Sequence, residues 1–330
     1  MITKLNYYRS HHTVPYWNLG VETFLLNTVP KDTCTLYLWQ NQRTVVVGKN
    51  QNCWAECRVN NLEEDGGYLV RRLSGGGAVY HDKQNINFTF LLNEEDYDVE
   101  RQLEVILLAV RSFGLDARKN GRNDITIDGR KFSGNAFYKS EGKCYHHGTL
   151  LVDVDTFAMN RYLNVSTDKL ESKGVASVKS RVVNLKELCP DITITALCEA
   201  LVDAFSQVYG SYPKTLTESD IDYTKVKELE GEFESWDWNF GRNVAFSWQA
   251  QRRFAWGGVN IQVLVEKGRV VDAIIYSDAM EGEFIASLPT LLIGKTFDIS
   301  SLMQALETTT TPDEENIITD LRQLIKEELL

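Results

Sequence analysis

The sequence predicts an α+β protein in two parts: a large mixed α/β domain over residues 1–242 and a small α+β domain over 250–330. Three observations predict it. Segments with apolar residues at helical spacing are interleaved with segments of strict alternation, so helices and strands share one core. No repeat or low-complexity segment breaks that pattern. A linker, Gly210-Ser-Tyr-Pro-Lys214, and the aromatic stretch Trp236-Asp-Trp-Asn-Phe-Gly241 then precede a final hairpin and helices, as a second unit requires.

Trp17 to Val29 carries Trp17, Val21, Phe24 and Leu25 on one helical face and stops before Pro30. Cys34–Trp39 and Thr44–Val47 read as two short strands across a polar turn, and Tyr68–Leu73 as a third. Ala78–His81 and Ile86–Leu92 follow a glycine run and read as paired strands. Val99–Phe113 is helical, with Leu103, Ile106, Leu107 and Val110 inward and Gly114 at the C′ position. Asp124–Phe132 reads as a hairpin turning at Asp128-Gly129, a strong local turn signal. A strand over His147–Asp153 and a helix to Tyr209 capped by Thr193 follow. In the small domain Val259, Ile261, Val263 and Val265 alternate, turn at Lys267-Gly268, and return through Val271, Ala273 and Ile275. Helices around 282–292, 299–307 and 312–329 complete it.

The chain has 330 residues, 43% hydrophobic and 25% charged, with mean hydropathy −0.27, which supplies a core and excludes global disorder. Its longest apolar runs, such as Val105–Val110, fall far short of the ~20 residues of a membrane span. Met-Ile-Thr-Lys at the start lacks the apolar stretch of a secretory signal, so a soluble cytoplasmic protein without a membrane partner is expected. Cys34, Cys53, Cys57, Cys144, Cys189 and Cys198 show no zinc or disulfide spacing and are expected as reduced thiols. Net charge is −11, against general nucleic-acid binding. Residues 221–330 hold 10 basic and 19 acidic residues, whereas 116–186 hold 13 and 8. An anion site therefore belongs in the N-terminal part.

Two segments carry chemistry. The first is Arg71-Arg-Leu-Ser-Gly-Gly-Gly-Ala-Val-Tyr-His-Asp82. Glycines lack Cβ, so their backbone can approach a ligand and aim N–H groups at an anion. A tight turn needs fewer glycines, and no Lys-Ser/Thr follows to make a Walker loop. The second runs from Gly121 to Gly134. Asn123 and Asp124 offer oxygen ligands for a divalent cation, and Lys131 on the return strand can reach whatever the hairpin faces. A solvated hairpin with surface charges fits those residues equally well.

Together these segments resemble the lipoate–protein ligases of the two-domain bacterial type. The resemblance is carried by 71–82, Gly121-Arg-Asn-Asp124, Arg130-Lys-Phe-Ser-Gly-Asn-Ala136 and His146-His-Gly-Thr-Leu-Leu151. It continues through Lys173–Asn184, Trp236–Gly241 and Phe254-Ala-Trp-Gly-Gly258, and so spans nearly the whole chain. It implies a catalytic domain of the biotin/lipoyl-ligase fold with a small accessory domain. It also implies that lipoate and ATP, with Mg2+, give lipoyl-AMP, whose acyl group passes to one lysine of an apo lipoyl domain or of the glycine-cleavage H protein. Octanoate is the alternative acyl substrate. By resemblance Lys131 is catalytic, and Arg71, Ser74, Gly75, Gly76, Gly77, Ala78, Val79, Tyr80, Asn123, Lys131, Lys173 and Gly174 hold the adenylate. Trp39, Arg71, Gly76, His81, Lys131, Gly134 and His147 would line the lipoate pocket, with Asp124 towards the metal.

The chemistry asks for such residues. Adenylation brings a carboxylate against a phosphate, and a lysine between them offsets the repulsion. Glycine N–H groups can cradle the acyl-adenylate. In the second step an acceptor lysine, with an ordinary pKa of about 10.4, must lose its proton, which a neighbouring Lys131 ammonium favours. No general base is evident; His81 and His147 line the pocket or hold their strands. From spacing alone Trp39 could equally be a core tryptophan. Biotin–protein ligases share the chemistry, but their Gly-Arg-Gly-Arg run is replaced here by Ser74-Gly-Gly-Gly. Acyl transferases of the same fold use a cysteine nucleophile, for which Cys144 is the candidate, and a non-enzymatic lipoate-binding protein is the remaining alternative. The basic, apolar-poor stretch 164–184 is expected to act as a lid over lipoyl-AMP.

Overall fold

β6 (Asn85–Asn93) shows how the main sheet is built. Its Ile86, Phe88 and Phe90 enter the apolar core, while Asn85, Asn87 and Thr89 alternate onto the opposite face, and all six are buried. Neighbouring strands share this two-faced pattern: Leu36 and Leu38 face the core from Thr33–Trp39, and Leu150 from Lys143–Leu151. One face of the sheet is thus sealed by apolar contacts and the other by polar ones.

The computed structural model describes residues 2–121, 123–164, 182–241, 245–307 and 310–329. They fall into two compact units. The first comprises Met1–Val46, Cys57–Val70 and Val79–Ser235; the second comprises Val47–Glu56, Arg71–Ala78 and Trp236–Leu330.

In the first unit, but for Val47 and Arg71, the strands are β1 (Lys4–Arg9), β2 (Thr33–Trp39), β3 (Thr44–Val47), β4 (Tyr68–Arg71), β5 (Val79–His81) and β6. β7 (Arg118–Asn120), β8 (Asp124–Ile127), β9 (Arg130–Ser140), β10 (Lys143–Leu151) and β11 (Lys214–Thr215) follow. An eight-stranded sheet has the order β11-β1-β2-β6-β10-β9-β8-β7, and a second sheet has β3 between β4 and β5. β1 runs parallel to β11 and β2, and the pairs from β2 to β7 are antiparallel. Helices Val99–Arg111 and Ile194–Tyr209 cover the apolar face, where Ile106, Val110, Leu201 and Phe205 pack with Phe88 and Phe90; each such burial contributes about 1.5–3 kcal/mol. Asp98 caps the first helix and Thr193 the second, each accepting from a backbone N–H three residues on. Helix Pro15–Thr28 is buried along most of its length and packs with helix Tyr223–Glu234.

Two expected pairings are corrected. Cys34–Trp39 and Thr44–Val47 do not form a hairpin, and Ala78–His81 does not pair with Ile86–Leu92. Both edges of β2 are taken by β1 and β6, and both edges of β6 by β2 and β10. That leaves β3 and β5 to pair with each other, Val45 opposite Tyr80.

In the second unit β12 (Trp248–Phe254), β13 (Gly257–Glu266) and β14 (Arg269–Ser277) form an antiparallel sheet. Helices Gly282–Leu292, Ile299–Ala305 and Pro312–Glu328 close a core of Ile261, Val263, Ile275, Leu288, Leu321 and Leu324. The expected inward set needs one correction. A bulge at Leu264/Val265 shifts the register, so Val270 is buried and Val271 is 43% exposed.

Candidate active site

The hairpin β8–β9 positions the central lysine. Asp128 and Gly129 both take positive φ, 50° and 75°, the turn that matches strand twist. Four residues later the register shifts, so that Thr126 faces Lys131, Ile125 faces Ser133 and Phe132 is the extra residue. The bulge puts Lys131 and Gly134 on the same side. A Cβ at Gly134 would lie 2.6 Å from Lys131 Nζ and 2.8 Å from its Cε, so the end of the lysine lies where it does beside a residue that has no Cβ. Asp124 stands opposite Gly134, and Lys131 Nζ reaches its Oδ1 at 2.7 Å, the side chains being 19% and 13% exposed. The lysine backbone is held too, since Val183 N–H donates to Lys131 O at 2.9 Å.

On the polar face of the same unit, Trp39 Nε1 donates to Thr89 Oγ1 at 3.1 Å, and Thr89 donates to Glu22 Oε1 at 2.7 Å. His147 Nδ1 meets the same carboxylate oxygen at 3.0 Å. Glu22 is 1% exposed, and its Oε1 has a hydroxyl and an imidazole as hydrogen-bond partners. His81 stands edge-on to Trp39 with ring centroids 6.1 Å apart and bonds Asn41 through Nδ1 at 3.3 Å. Trp39, through Thr89, and His147 thus share the Glu22 carboxylate, which the motifs did not reveal, and His81 lies beside Trp39. Tyr80, on β5, is buried against Tyr162, and burial holds its phenol well above the usual value. Val79, beside it, is half-buried.

The glycine run lies in the second unit. Gly76 N–H donates to Ala279 O at 2.8 Å, and a Cβ at Gly75 would come within 2.4 Å of that same oxygen. Close backbone approach is what requires glycine here. Ser74 Oγ accepts from Arg72 Nε at 2.9 Å, and Arg72 also donates to the carbonyls of Gly75 and Gly77. Ala78 is half-buried at the end of the run.

A family model described as Lipoyl protein ligase A/B catalytic domain matches residues 14–206, and one described as Bacterial lipoate protein ligase C-terminus matches 243–327. A Lipoate-protein ligase A of Psychrobacter cryohalolentis is 37% identical over 303 residues, 89% of either chain. The chain belongs to the lipoate–protein ligase family.

It is accordingly a ligase, and lipoate ligation is the activity that its relatives are named for. Its α+β architecture is shared with solved relatives. The structure of P. falciparum LipL1 in complex with lipoate matches with TM-score 0.87 at 28% identity, covering 98% of this chain and 100% of that one. A bipartite lipoate protein ligase from Thermoplasma acidophilum, described with its E2 lipoyl domain, matches with TM-score 0.63 at 26% identity, covering 75% of this chain and 100% of that one.

Three further residues have defined surroundings in this ligase. Arg71 is 1% exposed, and its guanidinium donates to the carbonyls of Gly48, Lys49, Gln51, Trp238 and Asn239. That side chain faces main-chain oxygens and holds the loop. Asp124 was expected towards magnesium, but it faces an ammonium. Among the described residues no group of three His, Cys, Asp or Glu could hold a metal ion. Cys144, the candidate nucleophile, is fully buried, and burial pushes its thiol up to about 12. A thiolate nucleophile needs a depressed value and access, and Cys144 has neither.

Sequence reasoning missed Glu22, Thr89, Asn135 and His146. A lone acid within Trp17-Asn-Leu-Gly-Val-Glu-Thr-Phe-Leu-Leu26 was the available signal, because a buried carboxylate has to serve a partner. Arg122, Lys173, Gly174 and most of the expected lid lie outside the described residues.

Proposed function

We propose that this ligase joins lipoate to the ε-amine of a lysine on an acceptor protein through lipoyl-AMP. The lipoate carboxylate attacks the α-phosphorus of ATP and pyrophosphate leaves; the acceptor amine then attacks the acyl carbon and AMP leaves. One observation carries the reading. Lys131 is a half-buried ammonium held over a glycine by Asp124, on a scaffold whose adjoining face buries Trp39, His147 and Glu22 together. An ammonium fixed in a partly dry site is what two repelling anions require, and indole and imidazole suit an apolar acyl chain with a polar end.

Ser74, Gly75, Gly76, Gly77, Ala78, Val79, Tyr80 and Asn123 are the proposed adenylate contacts, with Lys173 and Gly174, and Trp39, His81, Gly134 and His147 the acyl contacts. In this proposal residues 1–242 carry both half-reactions and 250–330 act as an accessory domain. A lipoate complex of one relative and a lipoyl domain described with another support the substrate and the acceptor. Acceptors are the lipoyl domains of 2-oxo-acid dehydrogenase acyltransferase subunits and the glycine-cleavage H protein, with octanoate as a second acyl substrate, in the cytoplasm. Incubation of the protein with lipoate, ATP and an apo lipoyl domain tests the reading by intact mass. One lipoyl group per acceptor, absent without ATP, is the expected result; ATP-independent transfer from an acyl thioester would replace the reading.

A further inference from the structure

We propose that His146 is a positioning residue: with Gln102 and Asn135 it forms a buried hydrogen-bond relay that fixes the Asn123–Asp124 backbone and hence Lys131. The inference rests on the ligase reading for its chemistry and on geometry for its residues.

His146 is fully buried on β10, with its ring among Phe88, Phe90 and Phe137 at centroid distances of 5.4, 5.9 and 4.9 Å. A phenylalanine would fill such a site without the penalty of a buried polar ring, so the two nitrogens need a purpose. Nε2 lies 2.8 Å from Asn135 Oδ1 and Nδ1 lies 3.1 Å from Gln102 Oε1. Burial first, then the neighbouring His147, lowers the His146 pKa to about 3, and a neutral imidazole has one N–H to give.

Asn135 decides which nitrogen carries it. Its Nδ2 donates to Asn123 O at 3.1 Å, and a carbonyl can only accept, so its Oδ1 is the atom turned to the imidazole. Nε2 therefore bears the hydrogen and Nδ1 is the acceptor. Among the described residues, Gln102 Nε2 is buried with no hydrogen-bond partner in its present orientation. Turning that amide over places its NH2 on Nδ1, so the acceptor nitrogen of the imidazole gains a donor. The relay then runs in one direction, from Gln102 to His146 to Asn135 to the Asn123 carbonyl. Asn135 N–H donates to the same carbonyl at 2.8 Å. One residue thus clamps Asn123 twice, immediately before the aspartate that holds Lys131 at 2.7 Å. A displacement of about 1 Å at a reacting group can cost about 10²-fold in rate, so this clamp belongs to the reaction as well as to the fold.

The test has two arms. In the 15N-labelled wild-type protein, long-range 1H–15N correlation reads the His146 tautomer; the neutral Nε2–H form is expected, and an Nδ1–H or charged ring overturns the relay. Lipoate-dependent ATP–pyrophosphate exchange is then compared in His146→Phe and His146→Gln. The glutamine amide nitrogen lies as many bonds from Cα as Nε2 does and can donate to Asn135. His146→Phe should lower kcat by about 10- to 10²-fold with KM for lipoate within about threefold, and His146→Gln should recover most of that loss. Wild-type kcat in His146→Phe, or equal loss in two folded variants, overturns the proposal. If wild type shows no lipoate-dependent exchange, the ligase reading fails, and the relay is decided by the tautomer alone.

Discussion

Lys131 shows how much one side chain depends on its neighbours. Its ammonium is placed by the missing Cβ of Gly134 and by the Asp124 carboxylate, so both should matter nearly as much as the lysine. Gly134→Ala puts a methyl group 2.6 Å from Nζ and 2.8 Å from Cε, so the end of the lysine must shift. Exchange should fall by about 10²-fold while far-ultraviolet circular dichroism stays unchanged; a rate within about threefold of wild type would show that the close approach is unimportant. Cys144→Ala should retain ligation within about twofold, because a thiol pushed up to about 12 inside the core takes no part. Loss of ligation in a folded variant would restore the transferase reading. Residue type alone singled out Lys131 and His147, but not what surrounds Arg71. An arginine beside glycines reads as a ligand cation, and only the fold shows five carbonyls around its guanidinium.

Among the elements, the hairpin β8–β9 was legible and the pairing of β2, β3, β5 and β6 was not. The hairpin is encoded locally, in an Asp128-Gly129 turn where both residues take positive φ. Gly129→Ala adds a Cβ to a left-handed position and should destabilise the protein by about 1 kcal/mol, read as a lower denaturation midpoint; an unchanged midpoint would mean that the turn relaxes. Strand partners, by contrast, are decided by distant segments that compete for the same sheet edge. Nothing within 33–47 tells β3 that both edges of β2 are taken. Bulges are equally silent in sequence: the one at Phe132 aims the lysine, and the one at Leu264/Val265 turns Val271 out of the core.

For the whole molecule, buried polar groups couple activity to stability. An unfolded histidine titrates near about 6.5, whereas buried His146 titrates near about 3. Between those values the unfolded chain takes up a proton that the folded chain refuses. The stability that depends on the neutral ring is complete above about pH 6.5 and falls as pH drops towards 3, by up to about 1.4 kcal/mol per pH unit. His146→Phe should flatten the slope of stability against pH over that window; an unchanged slope would assign it to other groups. The α+β class was legible because hydrophobic periodicity is a whole-chain property. The polar face of the main sheet was not, because its Asn, Thr and Glu residues look like surface until both faces are covered. The central claim is that a fixed lysine brings two anions together, and lipoate-dependent ATP–pyrophosphate exchange in wild type and Lys131→Ala tests it most directly. The account predicts exchange in the wild type and a loss of about 10²–10³-fold in a folded Lys131→Ala variant; exchange within about tenfold of wild type in that variant would contradict it.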